Sequence, residues 1–164
     1  MENSNIQKRT LGQFFTTTNP FDNEIFHTWF TLIPEEFKSP LLEPFAGANN
    51  IVKMIQNLNY NYSWHCYDIK PDNKNNITPE FEIKQRDMLK DFPTGYHVAI
   101  TNPPYLAKNS ASKTGMPFPE TTYDDLYKVS LKVMLDNLEY IAAIIPESFI
   151  TAEIFQDRIF AFIS

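Results

Sequence analysis

Apolar positions along this chain fall into two rhythms. Short β-branched or aromatic runs occupy residues 41–45, 62–68, 81–85, 97–101 and 140–145, each bounded by Pro, Asn, Asp or Gly, and they predict five strands. Between and around them apolar residues recur at helical spacing. Ile51, Ile55 and Leu58 share one face after an Asn-rich start, and Leu126, Val129, Val133 and Met134 do so within residues 123–137. A further helix is predicted over 23–32, and another over 151–162, where Ile154, Phe155, Ile159 and Phe162 repeat the pattern. Residues 72–78 and 107–119 are polar or carry Pro and Gly, and read as loops; the second is long enough to suggest a functional excursion and carries Lys108 and Lys113.

Alternation of strand and helix predicts an α/β fold: a doubly wound, mostly parallel sheet with helices on both faces and ligands bound at the carboxyl ends of the strands. The chain has 164 residues, 43% of them hydrophobic and 15% aromatic, which suits one packed domain over 1–164. No apolar run reaches the length of a membrane span, and the first residues lack the basic-then-apolar profile of a secretory signal, so a cytoplasmic protein is expected. Cys66, the single cysteine, sits in a strand pattern and reads as core. The formal net charge of −6 fits poorly with a polyanionic partner, because sequence-independent affinity for nucleic acid comes largely from Lys and Arg.

Candidate chemistry begins where the fourth predicted strand runs into Asn102-Pro103-Pro104-Tyr105. The prolines fix φ, remove N–H donors and force a stiff extended exit from the sheet. Two acceptors, the Asn102 side-chain oxygen and the Pro103 carbonyl, are thus presented beside an aromatic ring, and an exocyclic amine fits that pair. A second motif, Leu42-Glu43-Pro44-Phe45-Ala46-Gly47, joins a strand to a helix through a small-residue turn; alone it reads equally as a tight turn that needs Gly47 or as a cofactor loop. It has neither the Gly-Lys-Ser/Thr ending of a phosphate-binding loop nor a GxGxxG. Asp68 ends the second strand and Asp87 lies just past the third, where Asp often serves only as a cap or turn former. Three carboxylates at successive strand ends (Glu43, Asp68, Asp87) converge on one sheet edge, however, and suit a ligand with a ribose diol, an amino group and a positive sulfur. His27, His65 and His97 show no metal-ligand spacing, so no metal is expected.

Assembled, these residues resemble the Asn-Pro-Pro-Tyr (gamma-type) group of DNA adenine-N6 methyltransferases, as found in type II restriction-modification systems, and the likeness covers almost the whole chain. Leu11-Gly-Gln-Phe-Phe-Thr-Thr-Thr18 is similar to the N-terminal motif of that family, and Ile144-Ile-Pro-Glu-Ser-Phe-Ile150 to its later strand-and-turn motif. The resemblance implies S-adenosylmethionine as cofactor. Residues 1–35, with Phe15 and Thr16, would pack over its methionine end; Glu43, Pro44, Phe45, Ala46 and Gly47 would form its loop. Asp68 would take the ribose hydroxyls and Asp87 the adenine amine, with Ile69, Met88 and Asn102 completing the pocket. Asn102, Pro103, Pro104 and Tyr105 would hold a flipped adenine from double-stranded DNA. Two departures stand out. Gly47-Ala-Asn-Asn replaces a second glycine of the family, and the chain stops before the family's final hairpin and recognition domain, so a truncated core, or one completed by another domain or subunit, is expected. Rival readings are methylation of a protein glutamine or an RNA base, and a cofactor-binding module that is inactive alone.

Overall fold

The computed structural model describes residues 19–163. It contains the five expected strands: β1 (Leu41–Glu43), β2 (Trp64–Asp68), β3 (Ile83–Gln85), β4 (Val98–Thr101) and β5 (Tyr140–Ala143). Every pairing is parallel, in the order β3-β2-β1-β4-β5. The chain winds outward from β1 to β3, crosses back past β1, and winds outward again through β4 to β5. The reversal puts a topological switch point between β1 and β4, the place where open parallel sheets bind ligands beyond the carboxyl ends of their strands.

The pleat sorts each strand's residues between two cores. Leu41, Cys66, Val98 and Ile100 face one apolar cluster, and Leu42, Tyr67 and Ala99 the other. β1 and β4 are buried at every position, the near-continuous apolar run of strands covered on both sides. Helices α1 (Glu24–Leu32), α2 (Asn50–Gln56), α3 (Lys108–Thr114) and α4 (Leu126–Asn137) complete the elements that matter to the site. Phe26 and Phe30 of α1, with Ile51, Val52 and Ile55 of α2, pack on the first face; Leu131 and Met134 of α4 pack on the second. The architecture is therefore a doubly wound α/β sheet. Asn23 starts α1 by accepting the Phe26 N–H at 2.9 Å, one turn-opening bond that the helix cannot supply itself.

Four expectations need correction. Residues 151–162 form no α-helix: Glu153 and Phe155 adopt left-handed φ values of 52° and 57°, which split the segment around 3-10 turns at Glu147–Ala152 and Gln156–Arg158. The apolar spacing there instead records contacts of Ile154, Phe155 and Ile159 with the second core. The helix expected from residue 123 starts at Leu126, because the Asp125 side chain caps it and residues 124–125 are engaged with 106–108. The 107–119 loop contains α3, anchored by fully buried Ala111 and ended by Gly115 at φ 67°. Strand and helix do not alternate throughout: residues 69–82, between β2 and β3, hold no helix and are organised by asparagines. Asn73 bonds both the N–H and the C=O of Ile83, at 3.0 and 2.9 Å, in place of a neighbouring strand.

Candidate functional site

β1 delivers Glu43 to the switch point, where it is fully buried. Its Oε1 accepts from the Phe45 N–H at 3.0 Å and from Thr101 Oγ1, at the end of β4, at 2.5 Å. Its Oε2 is buried and has no partner among the described residues. Burial pushes the Glu43 carboxyl up to about 8, against the lowering effect of the Thr101 and Phe45 donors, so the group is largely neutral at pH 7. Glu43 is thus an interior acid with one oxygen that no described residue satisfies. The same environment pushes the neighbouring Cys66 thiol up to about 12, chiefly by burial, which fits its core role.

The turn after β1 is held from β2. The Ala46 N–H bonds the Tyr67 carbonyl at 2.8 Å, and the Gly47 N–H donates to Asp68 Oδ2 at 3.0 Å, while Asp68 Oδ1 accepts from the Lys70 N–H at 2.8 Å. Gly47 needs its glycine for conformation, since φ is 53° and nothing would meet an added Cβ within 4 Å. Asn49 supplies a second left-handed position, at φ 63°; Asn tolerates that region better than most residues. It is fully buried, and its amide donates to Asn76 Oδ1 and the Phe81 carbonyl.

Around this turn the expected pocket residues divide. Gly47 is exposed and Phe45 half-buried, and Ile69 is 64% exposed beside Asp68, an apolar surface at a polar edge. Pro44 and Ala46 are buried behind the turn. Half-buried Asp87 accepts from the Leu89 N–H and pairs with Lys90 at 3.3 Å. Met88 is 2% exposed, and its side chain belongs to the second core. Phe15 and Thr16 lie outside the described residues, as does the N-terminal motif; the described part of 1–35 packs α1 on the first face of the sheet.

β4 carries the chain to Asn102-Pro103-Pro104-Tyr105 across the crevice from Glu43, as its strand-end position predicts. Pro103 is buried; the other three are half-buried. The Tyr105 hydroxyl is 2.6 Å from Asn102 Oδ1 and 2.5 Å from the Ile144 carbonyl, so the tetrapeptide closes on itself and on the end of β5. Burial, with Asp125 and Tyr127 nearby, holds the phenol above its ordinary range, so it remains a donor. This modifies the expected acceptor pair: Asn102 Oδ1 is already within reach of a donor from its own motif. Sequence reading missed Thr101; its one signal is a hydroxyl at the last position of an otherwise apolar strand, next to Asn102.

Among the described residues no group of three or more His, Cys, Asp or Glu is arranged to hold a metal, and no helix is long and apolar enough to cross a membrane. Fold and site together define a doubly wound α/β domain with a carboxyl-rich, glycine-turned crevice at its switch point. No model of a known protein family and no curated protein sequence matches the chain. Among solved structures, a Listeria monocytogenes protein provisionally described as a class I S-adenosylmethionine-dependent methyltransferase is similar at a TM-score of 0.49 and 13% identity. The likeness covers 72% of this chain and 42% of that one, so the chain spans less than half the length of that structure.

Proposed function

We propose that this chain is the catalytic core of an S-adenosylmethionine-dependent methyltransferase that modifies N6 of adenine in double-stranded DNA, of the kind that serves restriction-modification systems. One relationship carries the reading: the strand-end acid Glu43 and the acceptor motif at Asn102 sit on adjacent strands and are linked through Thr101, the residue before Asn102. A ligand held at the end of β1 is thereby set beside whatever amine the β4 motif holds.

The residues present fit such a cofactor. A buried carboxyl oxygen without a partner suits a cationic ligand, because a positive charge in the crevice would compensate ionised Glu43. The Asp68 and Asp87 carboxylates, at the ends of the next strands, suit a ribose diol and an adenine amine, and exposed Ile69 gives a purine an apolar surface. When bound, the cofactor supplies a methyl carbon made electrophilic by its sulfonium.

Asn102 Oδ1 and the Pro103 carbonyl accept the two hydrogens of the target amine and orient its lone pair toward that carbon. Tyr105 offers its ring as a stacking surface for the base rotated out of the duplex. Catalysis by these residues is orientation and charge stabilisation, without a covalent bond to the protein. The test is transfer of labelled methyl groups to duplex DNA, with product analysis, by the wild type and Asn102→Ala. Label in N6-methyladenine that Asn102→Ala abolishes, with cofactor affinity nearly unchanged, supports the reading. Label in a protein glutamine or an RNA base would replace it with one of those substrates, and equal loss of transfer and cofactor affinity would remove Asn102 from the chemistry.

A further inference from the structure

Residues 106–119 contain two lysines and no Asp or Glu, in a chain of net charge −6. Within them α3 exposes Lys108, Asn109, Ser110, Ser112, Lys113 and Thr114, while fully buried Ala111 seats the helix on the domain. The Ser112 and Thr114 hydroxyls donate back to the Lys108 and Ser110 carbonyls, which leaves Lys108, Asn109, Ser110 and Lys113 as outward donors. Neither lysine has an ion pair among the described residues; Lys108 only touches the Thr121 carbonyl, at 3.1 Å. By contrast Lys128 and Lys132 of α4 are paired with Asp124 and Asp136.

This lysine-bearing surface has a fixed address. An antiparallel bridge joins Ala107 to Asp125, flanked by bonds from the Lys108 N–H to the Asp124 carbonyl at 2.8 Å and from the Leu126 N–H to the Leu106 carbonyl at 3.0 Å. Asp125 Oδ1 adds the Leu106 N–H at 3.2 Å and caps α4. The excursion is therefore pinned one residue beyond Tyr105, and chain length alone keeps Lys108 within roughly 10 Å of that residue.

We propose that α3 is a phosphodiester-binding ledge: Lys108, Lys113 and Asn109 hold the backbone phosphates of the DNA strand whose base enters the site. The proposal rests on the DNA-modifying function above. A base rotated out of a duplex keeps the phosphates on either side of it, so a ledge that grips them fixes how the base approaches Asn102. Lys, Asn and Ser donors are the usual partners of phosphate oxygens, and such contacts position a strand without reading its sequence. On an acidic protein, two lysines on one short helix next to the site, with neighbouring Asp124 already paired to Lys128, give the polyanion a local foothold within the screening length of about 8–10 Å.

The test is binding of a fluorescent duplex oligonucleotide by anisotropy between about 50 and 200 mM salt, for the wild type and a Lys108→Gln/Lys113→Gln variant. Both side chains are exposed, so the variant keeps the fold, and its cofactor affinity and melting temperature serve as checks. Lys132→Gln, on α4, is the control. The expected result is a slope of log affinity against log salt shallower by about 1–2, with affinity at low salt lower by about tenfold, while the control matches the wild type. In methyl transfer the variant raises KM for DNA and leaves kcat in place. A variant with the wild-type slope and KM overturns the ledge alone. A wild type that neither binds nor modifies duplex DNA overturns both the ledge and the function it rests on.

Discussion

The hydroxyl of Tyr105 lies 2.6 Å from Asn102 Oδ1 and 2.5 Å from the Ile144 carbonyl, so the residue assigned to stacking is also a donor to the acceptor beside it. One phenolic hydrogen serves one of these oxygens at a time. On the proposed function, a target amine bound to Asn102 would take the hydroxyl's place there and leave the phenol to the Ile144 carbonyl.

Tyr105→Phe removes that competition. A neutral hydrogen bond is worth about 0.5–1.5 kcal/mol net, so the variant is expected to lose up to that much stability and to lower KM for the target several-fold, with kcat largely kept. Tyr105→Ala should lose the stacking surface, about 1–3 kcal/mol, and raise KM instead. Steady-state methyl transfer and urea unfolding measure both; a Tyr105→Phe enzyme crippled in kcat would give the hydroxyl a direct chemical role.

Glu43 makes stability depend on pH. Its folded carboxyl titrates at about 8 against 4.5 for the ordinary group, so between these values the folded chain holds a proton that the unfolded chain has lost. Stability from this group therefore falls as pH rises from about 4.5 to 8 and is level beyond, by an amount on the order of a few kcal/mol. Urea midpoints at pH 5, 6.5 and 8 should fall along the series for the wild type, and Glu43→Gln should flatten the difference. Equal slopes for the two proteins would mean that Glu43 ionises normally in the fold.

Thr101 positions Glu43. Thr101→Val leaves Oε1 with the Phe45 N–H alone, costs about 1–3 kcal/mol, and should push the carboxyl higher still, while Thr101→Ser restores the bond. The readout is the pH dependence of cofactor affinity by calorimetry. An unmoved profile in Thr101→Val with unchanged affinity would reduce the bond to packing.

Gly47→Ala isolates backbone strain. No atom lies within 4 Å of the added methyl, and φ is 53°, so the expected cost is about 1–2 kcal/mol from conformation alone, accompanied by weaker cofactor binding. Gly47→Asn should recover part of the loss, as Asn49 already occupies the same region two residues on. Unchanged unfolding midpoints for Gly47→Ala would show that the turn relaxes out of the left-handed region.

Phe30, 1% exposed among Phe26, Tyr60 and Tyr62, anchors α1 to the first face. Phe30→Ala should cost about 3–5 kcal/mol by urea unfolding. A loss below about 1 kcal/mol would mean that α1 contributes little to the domain.

What the sequence determined on its own follows from local periodicity. Short continuous apolar runs place strands that are buried on both faces, and the stiffness of two prolines places Asn102 at the end of one of them. The same logic failed at 151–162, where apolar residues recur at helical spacing but two left-handed residues bend the chain onto the core. It also missed α3, whose only buried residue is Ala111 and whose sequence has no apolar stripe.

Only the tertiary structure decided the chemistry of the crevice. Glu43 and Thr101 are 58 residues apart and meet because the sheet order makes β1 and β4 neighbours. That same burial makes the acid neutral. Tyr105 meets Ile144 for the same reason, since β5 lies alongside β4. Hydrogen-bond partners and ionisation depend on which strands lie side by side, and on how much water they exclude, and neither quantity is contained in a local pattern of apolar and polar residues.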